Sequence, residues 1–339
     1  MSAGLDQEGK PSWSDVPEGI RNKVQTLIGA PIAAAEIVRG GFGPSATFVL
    51  HTSDDRRFFC KGAHPGQTVE GRAALLLERA NYENFPELAG FAPRYRGSAD
   101  EGDWRLLVLD NIERTKDVPP WDEKSFEKAV ELLARFHAET PDRASSVLAR
   151  AEDASGFNLF RPEFGWDSLS RDSNARDRFL SLFDEDAACW FDTNLERLVG
   201  LENSARSLND GPCSWIHLDV RSDNLIFGDD DVRLVDWSFL AIGPTLIDVA
   251  FFLPSIAGEG GPSPAEGLRA YEQTARLRFE REHIAIAAAT VSGFFAARAG
   301  EPDLPLLPRL RWVQRLQLFP ALDWTCDVLG IDRPTDELR

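Results

Sequence analysis

The residues with the clearest capacity for chemistry lie in Trp215-Ile-His-Leu-Asp-Val-Arg-Ser-Asp-Asn-Leu-Ile-Phe227. Gly228-Asp-Asp-Asp-Val-Arg-Leu-Val-Asp-Trp237 follows directly. Together they read His-x-Asp-x-x-x-x-Asn, a strand, an acidic turn, a second strand and Asp-Trp. Moving a phosphoryl group needs a carboxylate beside the acceptor hydroxyl, to orient it and take its proton. It also needs oxygen ligands for a Mg2+ ion that screens the phosphates. Asp219 opens the loop and suits the first role. Asn224 ends it with a neutral amide oxygen, and a hairpin of Leu225–Phe227 and Val232–Val235 returns the chain so that Asp236 supplies a second metal ligand. His217 reads as a brace that holds the loop through backbone hydrogen bonds.

The elements that must position these residues follow from periodicity. Residues 1–15 are polar and read as a disordered lead-in. Ile20, Val24, Leu27 and Ile28 have helical spacing. The stretch 33–62 reads as strand, glycine turn, strand, turn, strand, with Thr52-Ser-Asp-Asp55 closing a hairpin. Gly71–Phe85 is rich in helix formers. Pro93–Ser98 and Trp104–Leu109 predict two more strands, and Asp110–Pro120 a linker ending in Pro119-Pro120. Ser125–Thr140 predicts an amphipathic helix, and 141–175 has no clear pattern. Phe179–Leu198 predicts a helix, as do 265–279, 282–299 and 308–329. The expected fold is therefore α+β, with a β-rich N-terminal lobe over 16–112 and a mainly helical C-terminal lobe over 113–339.

The loop and hairpin resemble the signature of the aminoglycoside phosphotransferase and choline kinase-like family, whose fold is a bilobal, protein-kinase-like one. Val235-Asp-Trp237 and Gly243-Pro-Thr-Leu-Ile-Asp248 are similar to motifs of its actinobacterial branch. Leu218 stands where that family usually has glycine. The resemblance spans roughly 33–330 and implies ATP and Mg2+ as cofactors. It implies a third-strand lysine on the nucleotide phosphates, which is Lys61 in Phe58-Phe-Cys-Lys-Gly62. The partner carboxylate on the following helix is expected to be Glu78, with Glu83 and Glu70 as rivals. Gly41 and Gly43, in the Gly40–Ser45 turn, would let backbone N–H groups approach phosphate. Asp110 and Ile112 fall in the linker whose backbone binds the adenine edge. Asp248 matches an aspartate that braces the catalytic loop, and Arg221 is expected to pair with a neighbouring acid.

Bulk properties narrow the partners. The chain has 339 residues and a formal net charge of -18. Such a field disfavours nucleic acid and anionic lipid and favours a cationic small-molecule acceptor. The polar N-terminus lacks the apolar core of a signal peptide, and no apolar run reaches bilayer-spanning length, so a cytoplasmic protein is expected. Four cysteines without a CxxC pair predict buried free thiols rather than a zinc site. The C-terminal helices, which in the resembled family build the acceptor site, carry Glu259, Glu266, Glu272, Asp303, Asp323, Trp312 and Trp324.

These readings favour an ATP-dependent kinase acting on a small-molecule hydroxyl. A protein kinase is disfavoured: there is no Ala-Pro-Glu segment, and Asp248 comes only twelve residues after Asp236. The alternative is a kinase-like nucleotide-binding regulator without catalysis.

Overall fold

The computed structural model describes residues 10–39, 45–151, 165–184, 187–229, 231–304, 307 and 309–334. Two compact units divide the chain. The first comprises Met1–Lys116, Ile226–Phe239 and Leu304–Pro308; the second comprises Asp117–Leu225, Leu240–Asp303 and Arg309–Arg339.

In the first unit, α1 (Glu18–Ile28) precedes β1 (Ile32–Ile37), β2 (Ala46–Thr52) and β3 (Arg57–Ala63). Then come α2 (Val69–Asn84), β4 (Tyr95–Glu101) and β5 (Trp104–Asp110). The strands form one antiparallel sheet in the order β1-β2-β3-β5-β4. Strict alternation in β2 sends Phe48 and Leu50 to one face. There they meet Ile20, Val24 and Ile28 of α1, together with Phe58, Cys60, Leu106 and Val108. Gly97 sits at φ 140°, and a Cβ there would come within 2.6 Å of Leu27. The missing side chain thus lets α1 seat on β4.

Of the expected lead-in 1–15, residues 1–9 lie outside the described residues. Residues Trp13–Asp15 form a short 3-10 helix, and Trp13 packs edge-on against Phe48 at 5.2 Å. The Lys10 ammonium donates to the Val38 backbone oxygen at 2.8 Å.

The second unit opens with α3 (Glu123–Ala138), started by a capping box between Asp122 and Ser125. The unassigned stretch contains α4 (Ala144–Val147), α5 (Trp166–Arg171) and the start of α6 (Ser173–Leu180). The helix expected over Phe179–Leu198 is broken. After α6 the chain makes consecutive tight turns, from Leu182 to Phe179 and from Phe183 to Leu180, before α7 (Ala187–Asn203). Asp184 accepts the Ala187 amide through its backbone oxygen. The Ser181 hydroxyl donates to the Arg178 backbone oxygen at 2.7 Å at this junction, competing with the helical ladder as short polar side chains do.

Strand β6 (Cys213–Ile216) leads into the Asp219 loop, and the hairpin β7 (Leu225–Phe227) and β8 (Val232–Leu234) forms as expected. Strand β9 (Ala241–Pro244) returns to pair antiparallel with β6. It feeds α8 (Thr245–Gly258), which is buried over nearly its whole length. Then come α9 (Pro264–Ala275), α10 (Arg281–Ala299) and α11 (Leu310–Leu329). Over its mainly apolar middle, from Ile286 to Ala296, α10 is buried on nearly every side by its neighbours, as such helices must be.

The architecture is α+β and protein-kinase-like, with a β-rich N-terminal unit and a mainly helical second unit. Among the described residues, no helix is long and apolar enough to cross a membrane. The cysteines are free, but only Cys60 and Cys326 are buried; Cys189 and Cys213 are exposed. The expectation of buried thiols fails for that second pair because one lies on the outer face of α7 and the other at the first residue of β6, before the strand enters the core.

Candidate functional site

The Asp219 loop hangs from the end of β6. Trp215 anchors that strand: its ring stacks on Phe136 at 4.9 Å and its indole N–H donates to the Phe136 backbone oxygen. Beyond it, Asp248 in the first turn of α8 reaches back to the chain. It accepts the His217 amide at 2.7 Å and the Leu218 amide at 2.6 Å. Asp248 is fully buried, so these charge-assisted bonds are its compensation for lost water.

A third contact reaches Asp248 from His137, whose Nε2 is 3.2 Å away. The other ring nitrogen, Nδ1, shares a hydrogen bond of 2.6 Å with the Tyr271 hydroxyl. His217 is also fully buried, and its Nδ1 accepts the Asp219 amide at 3.3 Å.

Leu218 adopts φ 65°, the left-handed conformation that glycine takes without strain. The glycine usual in the resembled family is explained by this geometry. Here a leucine accepts the strain, and its side chain is buried at 1 % exposure.

Within the loop, the Asn224 side-chain amide donates to the Asp219 backbone oxygen at 2.8 Å and to Asp219 Oδ2 at 2.9 Å. Its nitrogen is thereby committed, and its oxygen is the atom left to offer a cation. Arg221 Nε lies 3.3 Å from Asp219 Oδ1 and 3.0 Å from Asp223 Oδ1, so it pairs with neighbouring acids. Ser222 donates to Glu259 Oε1 at 2.5 Å, and the Trp121 indole donates to Glu259 Oε2 at 2.8 Å. Burial raises the Glu259 pKa, against the pull of these two hydrogen bonds.

The first unit holds a second cluster. Lys61, central in β3, places its ammonium 2.8 Å from Glu78 Oε2 and 3.0 Å from Asp236 Oδ1. Burial acts to lower the Lys61 pKa, but the charges of Asp236 and Glu78 outweigh it and the net shift is upward. Glu78, 1 % exposed, is pushed up by desolvation while Lys61 pulls it down. Asp236 sits at φ 68°, and its Oδ1 also accepts from the Ser238 hydroxyl at 2.9 Å. Asn81 on α2 fixes the following turn by donating to the Trp237 oxygen at 2.7 Å.

Of the rivals to Glu78, Glu83 accepts from Arg79 and from the Tyr95 hydroxyl, both at 2.9 Å. The Glu70 side chain lies outside the described residues. Asp110 and Ile112 lie at and just after the end of β5, where Arg96 holds the Asp110 carboxylate through two bonds of 2.5 and 2.8 Å. Gly41 and Gly43 lie outside the described residues. Thus Lys61, Glu78 and Asp236 gather in the first unit, and His217, Asp219, Asn224 and Asp248 in the second.

Sequence reasoning missed His137, Tyr271, Ser222 and Trp121. A histidine on the apolar face of α3 was a visible signal for the first. Of the acids proposed for the acceptor, Glu266 closes the capping box of α9, and Glu272 pairs with Arg278 and accepts the Phe279 amide. Both have structural employment.

Among the described residues, no group of three or more His, Cys, Asp or Glu side chains is arranged to hold a metal.

No curated protein matches this chain. Among solved structures it is similar to spectinomycin phosphotransferase APH(9)-Ia in complex with ADP and spectinomycin, at 14% identity and a TM-score of 0.52, over 93% of this chain and 95% of that one. It is similar to a putative fructosamine-3-kinase from Haemophilus somnus 129PT at 13% identity and a TM-score of 0.54, over 89% and 97%. A choline kinase from Cryptosporidium parvum Iowa II gives 11% identity and a TM-score of 0.54, over 96% and 95%. At such identities the likeness is one of fold. The family profile is stronger evidence, because it matches residues 35–283 of the sequence itself. The chain belongs to the phosphotransferase enzyme family.

Proposed function

We propose that this chain is an ATP-dependent, Mg2+-requiring kinase that moves the γ-phosphate to a hydroxyl of a small molecule, within the actinobacterial branch of its family. The observation that carries the reading is the ion cluster of Lys61 with Glu78 and Asp236. A half-buried lysine held between two carboxylates is costly to desolvate and serves packing poorly, whereas a fixed ammonium suits phosphate oxygens.

In this reading residues 16–112 bind the nucleotide, with the backbone of Asp110 and Ile112 at the adenine edge and Gly41 and Gly43 near the phosphates. Residues 113–339 bring the acceptor to Asp219. Asn224 and Asp236 would hold Mg2+, which screens the phosphate charge when bound. Asp219 orients the acceptor hydroxyl and takes its proton, while Asp248, with His217, keeps the loop in register. The cytoplasm supplies both ATP and Mg2+.

The test is calorimetric titration of ATP with and without Mg2+, followed by ADP release over a panel of hydroxylated acceptors. Mg2+-dependent ATP binding, weakened by Lys61→Met, is the expected result. Failure to bind any nucleoside triphosphate would overturn the reading.

A further inference from the structure

The second unit contains a cavity of about 730 Å3 that none of the roles above uses. It lies between the C-terminal end of α8, the start of α9 and one face of α11. Its size falls within the range of drug-sized ligand sites, which run from roughly 300 to 1,000 Å3. Its wall is contiguous with the Asp219 loop through one residue. Ala257, Gly258 and Gly261 line the cavity, and Glu259 between them receives the Ser222 hydroxyl.

The lining identifies the kind of molecule that fits. Trp312, Phe319 and Trp324 contribute three aromatic rings, and Leu316 adds apolar surface. Trp312 is 58% exposed, so its ring is open to a ligand from solvent. The charged lining residues are Arg315, Arg333, Asp323 and Asp327, two of each sign. Both acids are engaged by Arg333, Asp327 at 2.8 Å and Asp323 at 3.4 Å. A polycation entering here would have to displace an arginine from each carboxylate. The charge of -18 acts on the whole molecule at long range, but the wall that a ligand touches is balanced.

We propose that this cavity holds the acceptor, and that the acceptor is a largely apolar, ring-bearing alcohol rather than a polycation. The inference rests on the kinase reading for its word "acceptor", and on the cavity alone for the chemistry of the ligand. Rings stack on Trp312 and Phe319, while the Asp–Arg pairs orient polar substituents at the rim.

The experiment titrates 2-(2-naphthyl)ethanol and kanamycin into the full chain by calorimetry, alongside Trp312→Ala and the cavity-filling Ala265→Trp. Saturable binding of the naphthyl alcohol is expected, weakened by about tenfold or more in both variants, with no binding of kanamycin. The proposal is overturned if kanamycin binds and the alcohol does not, if neither binds, or if both variants bind the alcohol like the wild type. ADP release from Mg2+ and ATP is followed in the same samples. Ring binding without any ATP turnover would contradict the kinase reading and leave the ligand class standing. ATP turnover without ring binding would do the reverse.

Discussion

Asn224 donates its side-chain amide to the carboxylate of Asp219, 2.9 Å away, and so ties the two ends of one loop together. The contact fixes the Asp219 carboxylate and aims the Asn224 oxygen away from it. Asn224→Asp would set two carboxylates at that spacing, and like charges so close raise the pKa of one of them. We expect turnover to fall by about a hundredfold at pH 7. The loss should be larger below neutrality than above it, measured as ADP release against pH.

Asp248 serves the loop differently, through the backbone. Asp248→Ala would leave the buried His217 and Leu218 amides without their acceptor. Each orphaned donor costs roughly 1–3 kcal/mol, so a loss of about 3 kcal/mol or more is expected in urea denaturation. Asp248→Asn keeps an acceptor oxygen and should lose less.

Leu218 offers a test in which two effects oppose. Leu218→Gly relieves a left-handed backbone strain of roughly 1–2 kcal/mol. It also removes a buried leucine side chain, whose truncation costs about 2–5 kcal/mol. The second effect is the larger, so the variant should be less stable by about 1–3 kcal/mol. A more stable variant in chemical denaturation would show that packing at this position is worth little.

Much of this was legible before any coordinates. The periodicities of Ala46–Thr52 and Ser125–Thr140 encode their elements locally, because each buried face is written into spacing of two or of three and four. Asp219, Asn224 and Asp236 could be named as candidates because a tight loop and hairpin fix their neighbours in sequence, whereas Lys61 rests on the family resemblance. Glu78 is preferred over Glu83 and Glu70 as the partner of Lys61, but all three occupy one helix and only the seating of α2 separates them. His137 and Tyr271 reach Asp248 as a chain of contacts between residues more than a hundred positions apart, 248 with 137 and 137 with 271. No local pattern records such a meeting. The break between α6 and α7 was hidden for the opposite reason, since apolar spacing continues across it while short polar residues end the helix.

Glu202 predicts a pH dependence of stability. Burial lifts its pKa to about 7, although the Trp166 and Asp167 amides, which it accepts, pull it down. The folded state therefore binds a proton that the unfolded state releases near the ordinary carboxylate value of 4.5. This group's stabilising contribution is full below that value and is lost as pH rises through about 7. Glu202→Gln should flatten the decline in unfolding free energy between those limits, measured by urea denaturation, by on the order of 3 kcal/mol relative to wild type.

Glu78 sets the position of the Lys61 ammonium, so Glu78→Gln should leave Lys61 drawn to Asp236 alone. The apparent affinity for ATP is expected to fall by about tenfold, read from nucleotide titration.

The central claim is that Asp219 is the base of a phosphoryl transfer. Asp219→Asn keeps the size of the side chain and removes its capacity to take a proton. ATP binding in the presence of Mg2+ and ADP release should be measured on the same preparation of wild type and variant. The account predicts unchanged ATP affinity and ADP release reduced by about a hundredfold or more. A variant that turns over ATP like the wild type would contradict it.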